Sequence, residues 1–115
     1  MTSHIVTSHG ADFFGQDHHP CRMLISLARY AQSIIPAADR KSLVQLLTDA
    51  QTGTERIIPA AQAAVLAAQL RQIGRDRFVK AKAEGKTAML LADAATRAAA
   101  DGDPWEWHTE AAASR

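Results

Sequence analysis

Asp103-Pro104-Trp105-Glu106-Trp107-His108 holds both tryptophans of the chain, and the fold turns on how this stretch is read. Residues two apart share one side of an extended backbone, so Trp105 and Trp107 point one way and Glu106 the other. Following a long alanine-rich run and Gly102, the stretch reads as an extended tail at the end of a helical chain. Two roles suit it. It covers an apolar groove on its own domain, or it anchors another protein, since paired aromatics are the residue types that dominate interface energies.

Upstream of this tail the apolar spacing is helical. Thr87 can cap a helix to about Ala100, with Met89, Leu90, Ala94, Ala95 and Ala98 inward and Gly102 as a left-handed stop. Residues 75–84 read as a short helix with Phe78 and Val79 inward, broken at Glu84-Gly85. Pro59 opens a helix with Ala63, Leu66, Ala67, Leu70 and Ile73 on one side and Gly74 as its stop. The most regular stripe is Met23, Leu24, Leu27, Ala28, Ala31, Ile34 and Ile35, behind Pro20 at the first helical position. Pro36 disfavours helical geometry at Ile35 and ends it. Between them, Leu43, Val44, Leu46, Leu47 and Ala50 form the buried face of a helix that Gly53 stops. Ile34-Ile35-Pro36-Ala37-Ala38 recurs as Ile57-Ile58-Pro59-Ala60-Ala61, aligning Leu43 with Leu66 and Leu47 with Leu70. Two copies are too few for a solenoid. The echo fits either a duplication or one local solution used twice, an apolar residue stapling a helix that opens on proline.

The 115 residues suffice for one domain that buries about 65% of its unfolded surface. Alanine supplies 24 of them, favouring helices in close contact. No apolar run reaches the roughly 18–20 residues of a membrane span, no leader is apparent, and Cys21 is alone, so a cytoplasmic location is expected, with no membrane role and no disulfide. Net charge is only +1 but is unevenly placed. The first twenty residues and the last fifteen are acidic, and residues 71–86 hold six basic groups against Asp76 and Glu84. The expected fold class is all-α: a single domain over 1–115, with an irregular segment over 1–19 containing at most a minor β element at Ile5 and Val6. A compact core of four to five helices follows over 20–101, then the aromatic tail over 102–115.

Four groups of residues bear on function. Phe13 and Phe14, adjacent between Gly10 and Gly15, suggest an anchoring loop and join Trp105 and Trp107 as the expected partner-binding set. Arg71, Arg75, Arg77, Lys80, Lys82 and Lys86 could follow phosphates, with Arg71, Arg75, Lys82 and Lys86 on one face if the helices around Gly74 are collinear. Four of five histidines lie in the first nineteen residues, beside Asp12 and Asp17, and His9, Asp12 and His18 are the candidate metal ligands. Their spacing matches no established metal motif. Cys21 near His18 and His19 has the residue types of a thiol nucleophile and base but lacks a third group to orient the base. No catalytic residue is assigned, and no cofactor is implied.

Ser8-His9-Gly10-Ala11-Asp12-Phe13-Phe14-Gly15, together with Pro104-Trp105-Glu106-Trp107, resembles short uncharacterised proteins of high-GC actinobacteria and of their phages. The resemblance spans nearly the whole chain and transfers no activity. It implies that the His-Gly loop and the Trp tail belong to one unit and meet in space. The functional expectation is a small non-enzymatic binding or regulatory protein acting on a protein partner or on a second copy of itself. The alternatives are a nucleic-acid-binding accessory protein using the basic segment, and a metal-dependent enzyme or metal-stabilised fold using the histidine cluster.

Overall fold

The computed structural model describes residues 4–52 and 55–109. Four helices cover one face of a four-stranded antiparallel sheet, so the chain is α+β and not the all-α helical bundle that its spacing suggests. The chain order is β1 (His4–Ser8), β2 (Gln16–Pro20), α1 (Cys21–Ile34), α2 (Lys41–Asp49) with a 3-10 turn at Ala50–Thr52, β3 (Arg56–Ile58), α3 (Ala60–Arg75), α4 (Ala83–Asp101) and β4 (Trp105–Thr109). In space the strands run β2-β1-β4-β3.

Both ends of the described residues are therefore sheet. The supposedly irregular N-terminal segment is a β-hairpin, with Ser8 opposite Gln16 and His4 opposite Pro20. Within the supposed tail, Trp105–Thr109 is an interior strand, pairing Val6 with His108 on one side and Ile57 with Glu106 on the other. The physical reason lies in where the strands get their stability. β2 is Gln-Asp-His-His-Pro, without a β-branched or aromatic residue, and β3 is three residues long. Such strands are held by backbone pairing and by burial of one face, neither of which local periodicity reports.

Alternation places Ile5, Thr7, Asp17, His19, Ile58, Trp105 and Trp107 on the face that the helices cover, with α1 against β2 and α4 against β1 and β4. Trp105 and Trp107 sit edge to face, 5.2 Å between centroids, fully inside the core. α4, which packs on α3 and on this sheet, buries Ala88, Ala92, Ala94, Ala95 and Ala98. Small side chains there let the helix lie close to its neighbours, α3 above all. His4, Val6, Ser8, Gln16, His18, Glu106 and His108 belong to the opposite face.

The helices largely keep their expected stripes, with shifted ends. Leu24, Leu27, Ala28 and Ala31 are buried on α1, which ends where Ile35 turns extended ahead of Pro36. Pro20 and Pro59 are extended N-caps rather than first helical residues. No helix spans 75–84: residues 77–81 are a turn in which Val79 is buried and Phe78 faces solvent, and α4 starts at Ala83 rather than Thr87. Leu91, not Leu90, is the large inward residue of α4, and Gly102 closes the helix with φ 70° as expected. Gly74 does not stop α3. It and Gly85 let α3 and α4 meet: a Cβ at Gly74 would stand 2.7 Å from Met89, and one at Gly85 only 2.2 Å from the Val79 carbonyl oxygen. The two copies of the echo differ in structure. The first ends α1 and enters a turn, whereas the second is β3 followed by the start of α3. The expected stop at Gly53 lies outside the described residues, as does the end of the tail from Glu110 to Arg115.

Among the described residues no helix is long and apolar enough to cross a membrane.

Candidate functional site

The β1–β2 connection, residues 9–15, is a loop braced by hydrogen bonds to five of its backbone N–H groups. His9 enters it with φ 59°, and Gly10 follows where no side chain fits, since a Cβ would lie 2.2 Å from the carbonyl carbon of Gln16. Gly10 N–H donates to the Gly15 carbonyl at 3.0 Å, and Gly15 N–H donates to the Asp12 carbonyl at 3.0 Å. The Asp12 carboxylate accepts from the N–H groups of Phe14 at 2.9 Å and Gln16 at 2.8 Å, and Asp17 accepts from Ala11 N–H at 3.0 Å. An aspartate that takes the amides two and four residues on holds the turn it begins.

The base of the loop is tied to the far end of the chain. Arg97 Nε donates to the His9 carbonyl at 2.7 Å, Trp105 Nε1 donates to the Ser8 carbonyl at 3.2 Å, and Glu106 N–H donates to Ser8 Oγ at 2.9 Å. The loop and the Trp-Glu-Trp strand thus meet in space, as the resemblance implies.

What this framework displays is Phe13 and Phe14, 95% and 79% exposed and packed edge to face at 5.3 Å. Two adjacent phenyl rings left in water forgo the gain of burying them, and at 95% and 79% they are the most exposed of the large apolar side chains among the described residues. The same geometry gives a stability test of the loop. Gly10→Ala is expected to lower the unfolding free energy by about 1–3 kcal/mol, because backbone rather than a flexible side chain blocks the added methyl; urea denaturation reads this directly.

The remaining expected sites fare differently. Trp105 and Trp107 are core, so they cannot engage a partner unless the sheet opens. His9, Asp12 and His18 do not form one ligand set. His18 Nε2 is 3.9 Å from Asp12 Oδ2, while His9 Nε2 faces Asp103 Oδ2 at 3.5 Å and Asp101 Oδ2 at 4.0 Å. The ligand atoms that gather among the described residues are those of His9, Asp101 and Asp103, a juxtaposition of αL loop and helix end that spacing could not reveal. Cys21 is buried and its Sγ donates to the Ala50 carbonyl at 3.3 Å. Burial pushes its pKa up, the opposite of an activated thiolate.

His18 and His19, expected together at a helix start, lie on opposite faces of β2. His18 is exposed, whereas His19 is sealed beneath α1 and its pKa is lowered to about 4, chiefly by loss of solvent and in part by His18, with Asp17 opposing. Sequence reasoning passed over His108, whose Nδ1 is 2.6 Å from Glu55 and Nε2 3.1 Å from Glu106; the Glu55 hydrogen bond raises its pKa most. Thr7 Oγ1, Asp17 Oδ2, His19 Nε2 and Trp107 Nε1, all on the helix-covered face, are buried without a hydrogen-bond partner.

The basic residues are not a helical stripe. α3 and α4 fold back on each other, so the collinear arrangement does not exist. Arg71 is committed to α4 through Asp93 Oδ1 at 3.1 Å and Thr96 Oγ1 at 2.9 Å. Arg75, Arg77, Lys80, Lys82 and Lys86 instead surround the elbow between the helices, all exposed.

No curated protein and no solved structure matches the chain. A family model described as "Domain of unknown function (DUF7739)" matches residues 10–108, from the glycine of the hairpin loop to the histidine of the interior strand, and the chain belongs to that family.

Proposed function

We propose that the chain is a small non-enzymatic binding protein that docks a protein partner through Phe13 and Phe14. The observation behind this reading is the pairing of a braced loop with two solvent-facing rings. Ordering entropy is spent before binding, so each ring enters an apolar cleft on the partner at little further conformational cost. Aromatic anchors of this kind concentrate binding energy in a few residues. The sheet behind the loop, clamped by Arg97 and Trp105, keeps the tip from yielding under that contact. We assign the role to the cytoplasm, where the single unpaired thiol of Cys21 stays reduced, and to the setting of the actinobacterial and phage proteins that the loop and the Pro104–Trp107 segment resemble.

The test is a paired substitution at the tip. Phe13→Ser with Phe14→Ser is expected to leave the melting temperature unchanged or slightly higher, since both rings are exposed, and to weaken capture of the partner at least tenfold. The partner is taken as the stoichiometric protein recovered with the untagged chain from its native host, then rebound in purified form. Retention of that partner by the double variant would overturn the reading. Sedimentation of the wild type and the double variant separates a second copy of the chain from a different protein.

A further inference from the structure

We infer that the elbow between α3 and α4 is a binding site for single-stranded nucleic acid, with Phe78 as the platform for one base and the surrounding cations as the seat of its phosphates. This surface is distinct from the Phe13–Phe14 tip: it lies at the N-terminal end of α4, whereas Arg97, Asp101 and Asp103, which meet the loop, lie in the C-terminal part of α4 or just beyond it. α4, 19 residues and about 28 Å long, runs between them.

The elbow is ordered. Asp76 Oδ1 accepts from Phe78 N–H at 2.9 Å, the Asp76 carbonyl accepts from Val79 and Lys80, and the Val79 carbonyl accepts from Lys82. Val79 is driven into the core at 1% exposure, which turns the adjacent Phe78 outward at 70%. The Gly85 backbone packs against Val79 and holds the turn against the first turn of α4.

Charge follows the same plan. Arg75, Arg77, Lys80, Lys82 and Lys86 are exposed within twelve residues, and the two acidic groups among them are occupied. Asp76 caps the turn, and Glu84 accepts from Ser26 Oγ at 2.8 Å, the contact that chiefly lowers its pKa. The net charge of +1 conceals this segregation, because most of the acidic residues lie elsewhere.

Two of the cations also lie over aromatic rings. The Arg77 guanidinium lies 4.7 Å from the Phe78 ring centroid, and Lys82 Nζ lies 6.0 Å from that of Tyr30 on α1. An acidic protein surface would call for the cations alone. A duplex buries its bases and offers phosphates without a free ring face. A single strand offers both, and stacking on an aromatic ring tolerates any base.

The test uses a fluorescently labelled oligothymidylate, the corresponding duplex and a polyglutamate peptide, with anisotropy as the readout. Four to five phosphate contacts on a single strand give a log–log salt slope of about −3, so affinity is expected to fall about 60-fold between 50 and 200 mM salt. Phe78→Ala, at an exposed position, is expected to weaken oligothymidylate about 5- to 150-fold with an unchanged slope. Phe78→Trp is expected to restore binding. Lys80→Gln with Lys82→Gln should lower the slope by about 1.4. Three results would overturn the proposal: no binding at 50 mM salt, polyglutamate or duplex binding as tightly as the single strand, or a Phe78→Ala variant of unchanged affinity. The Phe13→Ser and Phe14→Ser variant is expected to bind the oligonucleotide normally, so failure of the tip and failure of the elbow are read separately.

Discussion

Trp107→Ala is expected to cost about 3–5 kcal/mol, a large share of the roughly 5–15 kcal/mol that holds a domain folded, because a buried indole in an interior strand is replaced by a methyl group. β4 pairs with β1 and β3 at once, so the loss falls where both halves of the sheet join. α4 has little side chain with which to fill the space: most of its buried residues are alanines, and closing the gap would require the helix itself to move. Trp105→Ala is expected to cost at least as much, since Trp105 Nε1 also donates to the Ser8 carbonyl and so ties the strand to the loop. The phenylalanine variants separate packing from hydrogen bonding. Trp105→Phe forfeits that bond, worth about 1 kcal/mol net, and leaves the Ser8 carbonyl with one partner fewer. Trp107→Phe instead removes a buried N–H that has no partner, so its cost is that of lost volume offset by relief of a desolvated donor. Urea denaturation followed by circular dichroism should therefore rank Trp107→Phe as milder than Trp105→Phe. If Trp107→Ala unfolded at the wild-type denaturant concentration, the strand would be an applied tail rather than the middle of the sheet.

The tryptophan stretch also marks where the sequence was legible and where it was not. Its alternation correctly put Trp105 and Trp107 on one side of an extended backbone, and the stripe of α1, the cap at Gly102 and the prolines ahead of α1 and α3 were all readable from local spacing. Each of those features is decided within a turn or two of chain. The cross-strand partners of Trp107, by contrast, are Arg56 and Thr7, the latter at the other end of the sequence, and nothing near Trp107 announces either. Without those pairings, Gln16–Pro20 reads as polar loop and Trp105–Thr109 as tail, and an α+β sheet becomes an all-α bundle. The site shows the same division. Phe13 and Phe14 between glycines were visible as a candidate surface, because two apolar residues in a turn sequence conflict with local rules. That Arg71 would be spent on Asp93, and that Asp101 and Asp103 would face His9, depends on how α4 lies against its neighbours, which the antiparallel fold of α3 onto α4 decides. Phe78 was placed inward and Val79 with it. In a tight turn adjacent side chains diverge, so one had to face solvent, and spacing alone gave no ground for choosing which.

Acid is expected to weaken the fold well above the pH at which carboxylates titrate, through His19. The imidazole is 3% exposed, its Nε2 lacks a hydrogen-bond partner, and its pKa is depressed to about 4 from an ordinary 6.5, chiefly by desolvation and in smaller part by His18, against the opposing pull of Asp17. The folded state therefore binds fewer protons than the unfolded chain between these values, and linkage makes stability fall as pH drops through that window. The contribution is complete above about pH 6.5 and spent by about pH 4, a total of about 3 kcal/mol. His108 works in the other direction and in another window. Its pKa is raised by Glu55 and Glu106, so its contribution is present below 6.5 and fades as pH rises through the raised value. Together the two histidines place the stability maximum near neutrality, with the steeper flank on the acid side, because His19 is sealed from solvent and His108 is partly exposed. His19→Leu keeps an apolar side chain under α1 and removes the titrating group, so its stability should be nearly flat from pH 7 to 5 while the wild type declines. A variant that declined in parallel with the wild type would assign the acid flank to the carboxylates, and would mean that His19 reaches solvent when it takes up its proton.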